Sequence, residues 1–142
     1  VTYRGDLHIL DQKNGATLHS MSFSTPFYCT AVVDQTTIFL PLSNGKLLAV
    51  DNQSLAVNWE FQADVPWASA PLVTLNYIYA ANLDEKLYIL DKRSGSLLQE
   101  IQLSGRARST PVIVDNKLIL TCENTNVVAY AQEHYGQEHK DN

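Results

Sequence analysis

Short apolar runs separated by turn residues fill the chain, and no segment sustains helical spacing. Over 86–91, Lys86, Tyr88 and Leu90 alternate with Leu87, Ile89 and Asp91, the two-residue period of a pleated strand. The runs also recur. GDLHILD (5–11), GKLLAVD (45–51) and EKLYILD (85–91) align, which places Asp11, Asp51 and Asp91 forty residues apart. TNVVAYA (125–131) follows at the same offset, with Ala131 in place of the aspartate. AVVDQTTIFL (31–40), PLVTLNYIYA (71–80) and PVIVDNKLIL (111–120) form a second aligned set, and Gly15 and Gly95 stand eighty apart. Several short strands in a forty-residue period predict β-propeller blades of four antiparallel strands.

Lettering the strands A to D, the middle repeat reads as 30–34, 37–42, 46–51 and 57–62. Val1–Tyr3 reads as the end of an earlier strand B, and 108–114, 117–122 and 126–131 as the last A, B and C. Asn44-Gly45 marks the B–C hairpin, while Asp34 and Asp115-Asn116 mark A–B turns. The expected organisation is a partial blade 1–27, blades 28–67 and 68–107, a partial blade 108–131, and a polar tail 132–142. This all-β reading amounts to about three and a half blades at forty residues each. The expectation is the C-terminal part of a 7- or 8-bladed propeller whose N-terminal region is missing, or a half-propeller closed by a second copy.

The recurrent aspartates end strand C. Their carboxylates suit an Asx-turn, accepting backbone N–H groups two or three residues on. Gly15 and Gly95 then take the positive-φ position cheaply. Leu55 holds that position in the middle repeat, where a leucine is strained, so a different turn is expected there.

These residues resemble the PQQ-type (quinoprotein-like) repeat family, whose C–D hairpin reads Ala-x-Asp-x-x-x-Gly-x-x-x-Trp. Ala49, Asp51 and Trp59 match, as do Asp91 with Gly95 and Asp11 with Gly15. Leu55, Gln99 and His19 depart from the glycine or tryptophan. In character the chain is most similar to the outer-membrane assembly lipoprotein family, BamB, whose members lack the cofactor site. The resemblance implies a non-enzymatic protein-interaction scaffold on the periplasmic side of the outer membrane. Its partners would be proteins engaged through the loop face or a blade edge. Two alternatives come with it. One is a fragment of a quinoprotein dehydrogenase using PQQ with calcium, for which Asp64 and Glu85 are the nearest acidic candidates. The other is an accessory or sensor propeller domain of a larger protein.

Composition narrows the partners. Ten basic against fifteen acidic residues give a net charge of −5, which leaves no basic footprint for nucleic acid and disfavours anionic lipid. No apolar run is long enough for a membrane helix. Cys29 and Cys122 occupy different repeat positions and read as small hydrophobes. Among the histidines, His8 and His19 fall in strands, and His134 and His139 in the tail. No residue is assigned to catalysis, metal or cofactor.

The segments joining strand D to the next strand A gather on one face of a propeller. There the chain carries Phe27 and Tyr28, Trp67, and Arg106 and Arg108, residue types that anchor protein interfaces. Against that reading, Phe27 and Trp67 could instead fill space between blades.

Overall fold

A computed structural model describes residues 1–107, 109–123 and 127–131. Thirteen strands form four antiparallel sheets, with no α-helix among the described residues. The first sheet pairs β1 (Asp6–Leu10) with β2 (Thr17–Ser22). The second runs β3 (Val32–Asp34), β4 (Thr37–Pro41), β5 (Lys46–Asp51), β6 (Val57–Gln62) in chain order. The third repeats that order with β7 (Leu72–Val73), β8 (Tyr77–Ala81), β9 (Lys86–Asp91) and β10 (Leu97–Gln102). The fourth has β11 (Val112–Val114), β12 (Lys117–Thr121) and β13 (Val127–Ala131).

Each sheet is one blade, and its strands differ in burial because of their place in the stack. In the second and third blades the B and C strands are buried on both faces: Ile38 to Leu40, Leu47 to Val50, Ile78 to Ala81 and Leu87 to Leu90 are all inside. The D strands β6 and β10 show the alternation of a half-covered outer strand. Every C–D hairpin carries a bulge at the same register, opposite Ile9-Leu10, Ala49-Val50 and Ile89-Leu90. Three apolar clusters correspond to the three blade junctions. Leu7, Phe27, Ile38, Leu40, Leu48 and Val50 join the first pair. Phe39, Leu47, Trp67, Ile78, Tyr88 and Leu90 join the second, and Tyr79, Leu87, Ile89, Leu103, Leu118 and Leu120 the third. Each fully buried aliphatic side chain contributes about 1.5–3 kcal/mol relative to exposure.

The strand after Asp11, Asp51 or Asp91 is reached through one repeated turn. Asp91 Oδ1 accepts the N–H groups of Arg93 (3.1 Å) and Ser94 (2.8 Å), and the Ser94 hydroxyl as well. Asp51 does the same with Gln53 and Ser54, and Asp11 with Lys13 and Asn14. These hydrogen bonds, from Ser54 and Ser94 above all, hold the carboxyls of Asp51 and Asp91 below the usual aspartate range.

Two expectations are corrected. Leu55 does not change the turn: at φ 58° it donates to the Asp51 carbonyl (3.0 Å), as Gly15 and Gly95 at φ 72° donate to Asp11 and Asp91. Packing accounts for the leucine. Trp59 lies on Gly95 of the next blade and donates its indole N–H to the Lys92 carbonyl (3.1 Å). At the preceding junction the tryptophan position is His19, and Leu55 supplies apolar volume from the other side, packed on that junction's cluster. The second correction concerns Val1–Tyr3, which is not a strand. The Thr2 N–H donates to the Asp6 carbonyl (2.8 Å) and the Gly5 N–H to the Thr2 carbonyl (3.1 Å). That is the B–C turn seen at Leu42 to Lys46, so the backbone there is bent rather than extended.

Candidate partner-binding face

Antiparallel order puts the D–A segments and the B–C turns at one end of every blade, and the A–B and C–D turns at the other. The first end is braced by a repeated hydrogen bond. In the second, third and fourth blades the B–C turn N–H groups of Ser43, Leu83 and Glu123 donate to the carbonyls of Pro26, Pro66 and Arg106 in the D–A segments (3.1, 2.9 and 2.8 Å). Tight turns help: an added Cβ at Gly45 would meet the Ala63 carbonyl oxygen at 2.5 Å.

The structure separates the sequence-derived candidates on this face. Trp67 is 3% exposed; its indole N–H donates to the Lys46 carbonyl (2.9 Å), and its ring meets Tyr88 edge-on at 5.7 Å. Phe27 is 5% exposed and sits edge-on to Phe23 at 5.5 Å. Both rings therefore serve blade junctions and offer no area to a partner. Tyr28 is open to solvent, and so is Arg106. Arg108 lies outside the described residues, as do His134 and His139. Asp11, Gly15, Asp51, Asp91 and Gly95 line the turns at the opposite end, and Trp59 seals a junction.

Tyr3 joins Tyr28. The two rings stack at 5.6 Å, tilted 33°, and remain 72% and 60% exposed. The hydrogen bond and charge of Tyr3 push the Tyr28 phenol above its usual pKa, which keeps the Tyr28 ring neutral at physiological pH. An aromatic pair with one ring on a braced loop carries large contact area at low entropic cost. The sequence hid Tyr3 because it read as strand. Its register, forty before Ser43 and eighty before Leu83, marks it as the tip of a B–C turn. Around the rim, Lys46–Glu60 and Lys86–Glu100 pair at 3.0 and 3.1 Å. Among the described residues no three His, Cys, Asp or Glu side chains converge. Cys29 and Cys122 are free thiols, raised in pKa by burial.

Comparison with known proteins fits this geometry. A family model described as outer membrane protein assembly factor BamB matches residues 3–134. The chain belongs to this family. Among solved structures, BamB from Moraxella catarrhalis superposes with a TM-score of 0.77 at 19% identity, covering 89% of this chain and 40% of that one. The computationally designed Ika4 protein superposes at 0.81 and 11% identity, covering 91% of this chain and 81% of that one. Both show the fold alone. A curated relative, the beta-alanine-activating enzyme of Mus musculus, is 28% identical over 78 residues, half of this chain. The chain spans 7% of that relative's length and 40% of the BamB chain. No helix among the described residues is long and apolar enough to cross a membrane.

Proposed function

We propose that the chain is a non-enzymatic interaction scaffold that binds protein partners through the braced loop face, in outer-membrane protein assembly on the periplasmic side. The family match supplies the context. The observation that carries the reading is the exposed, stacked Tyr3–Tyr28 pair, with Tyr28 two residues after Pro26, whose carbonyl accepts the Ser43 N–H. Aromatic side chains of this kind dominate binding energy where they are desolvated by a partner. Co-purification of outer-membrane assembly components with the wild-type chain and with a Tyr3→Ser/Tyr28→Ser variant tests it. The variant should lose the partner by about 2 kcal/mol or more, roughly thirtyfold in affinity. Full retention by the variant contradicts the reading.

A second reading has one specific observation behind it, the 78-residue match to a much larger enzyme. On that reading the blades are an accessory domain. In either case no tight, stoichiometric binding of PQQ with calcium is expected. Absorbance of the quinone after gel filtration checks this, and stoichiometric retention would favour the dehydrogenase alternative.

A further inference from the structure

Asn44 and Gly45 form the tip of the turn between β4 and β5, at the loop end of the second blade. The asparagine is exposed and the glycine is buried. An asparagine followed by glycine is chemically labile, because no side chain shields the glycine nitrogen from the carboxamide carbon. In this turn the groups that the reaction uses are held. Asn44 Oδ1 accepts the Lys46 N–H (3.1 Å), and Asn44 Nδ2 reaches the Thr25 hydroxyl oxygen at 3.5 Å. The Gly45 N–H donates to the Leu42 carbonyl (3.2 Å). From β6, the Gln62 carboxamide donates to the carbonyls of both Asn44 (3.0 Å) and Ala63 (2.7 Å). The Ala63 N–H donates in turn to the Gly45 carbonyl (2.9 Å).

In the reaction, the Gly45 nitrogen gives its proton to solvent base and attacks Asn44 Cγ. The Cγ–Nδ2 bond breaks, Nδ2 leaves as ammonia, and a cyclic succinimide closes between the residues. Water then adds to either carbonyl of the ring. Opening at Cγ gives aspartate; opening at the main-chain carbonyl gives isoaspartate, whose backbone runs through the side-chain carbon. The balance is asparagine plus water to aspartate or isoaspartate plus ammonia, with no change of oxidation state. Closure requires Cγ to lie over the Gly45 nitrogen and the Lys46 and Leu42 hydrogen bonds to release, so it proceeds from a locally opened turn. Gln62 controls that opening, since its bonds tie the turn to β6. The isoaspartyl product cannot regain the native turn. It adds a methylene to the backbone beside Gly45, where even a Cβ would lie 2.5 Å from the Ala63 carbonyl oxygen and 3.0 Å from that of Val65. The residue before it is Ser43, whose N–H braces the Pro26 carbonyl.

We propose that Asn44 is a self-modification site gated by Gln62, and that its isoaspartyl product releases the Ser43–Pro26 brace. The chemistry needs only the chain and water, and it stands apart from the scaffold reading. Incubation of the 142-residue chain at mildly alkaline pH, with peptide mapping of aspartate and isoaspartate, tests it. Deamidation at Asn44 should run at least about tenfold slower in the native chain than in denaturing urea. Gln62→Ala should speed it about fivefold, the effect of losing roughly one net hydrogen bond. The rate at Asn14, which precedes Gly15 in a different turn, should not change. If Gln62→Ala disturbs the fold, Thr25→Val takes its place, since it removes the contact of the carboxamide nitrogen; acceleration at Asn44 alone is again expected. Hydrogen exchange of the isoaspartyl product should show the Ser43 amide losing its protection. Overturning results are equal rates in native and denatured chain, an unchanged Asn44 rate in the folded variant, or Ser43 protection retained in the isoaspartyl product.

Discussion

Gly15 and Gly95 share a turn, a φ of 72° and a place in the repeat, yet they do different work. An added Cβ at Gly15 meets nothing within 4 Å, whereas at Gly95 it would lie 2.5 Å from the Trp59 ring. Gly15→Ala should therefore cost only the left-handed backbone penalty, about 1–2 kcal/mol. Gly95→Ala should cost that and the displacement of Trp59, bringing the total to about 3 kcal/mol or more, as for other strained, overpacked sites. Urea unfolding of the two variants checks the difference. The aspartates add a pH dependence. The carboxyls of Asp51 and Asp91 are depressed in the folded state, so they bind fewer protons there than in the unfolded chain. Their stabilisation is present above the unfolded value near 3.9 and is lost as pH falls through the folded values. A thermal melt series should show an Asp51→Asn/Asp91→Asn variant losing less stability than wild type on acidification below about pH 4. Parallel curves would show that the turns do not carry this linkage. Most of this chemistry was legible in the sequence, because an Asx-turn is local. Leu55 was misread because its justification is non-local: it is paired with His19 across a blade junction.

Strands were legible to within a residue or two wherever both alternation and turn residues marked them. The expected 46–51 and 57–62 became Lys46–Asp51 and Val57–Gln62. Inner strands came out shorter, Val32–Asp34 and Val112–Val114; at the second, Pro111 precedes the strand and has no N–H to give a ladder. What the pattern could not supply was the burial on both faces of strands B and C, which depends on neighbouring blades. That contrast yields a stability test at the level of elements. Leu87 in β9 is fully buried, whereas Leu98 in β10 is 53% exposed. Leu87→Ala should cost about 2–5 kcal/mol, while Leu98→Ala should stay within about 0.5 kcal/mol. Similar losses from both would mean that the blades are not stacked through strand C.

At the scale of the whole molecule, each end of the blade stack has its own character. One end has hydrogen-bonded loops and an exposed tyrosine pair; the other has the aspartate turns. Repeat spacing located the loop end, but not which rings would be free on it. Phe27 and Trp67 look like Tyr28 in a sequence, and only packing tells a junction filler from a surface anchor. The most direct measurement of the central claim is site-specific photo-crosslinking in the presence of outer-membrane assembly components. A photoreactive residue at Tyr28 or Tyr3 should capture a partner, and one at Lys13 or Gln53, in the turns of the other end, should not. Capture from Lys13 or Gln53 with none from Tyr3 or Tyr28 would contradict the account.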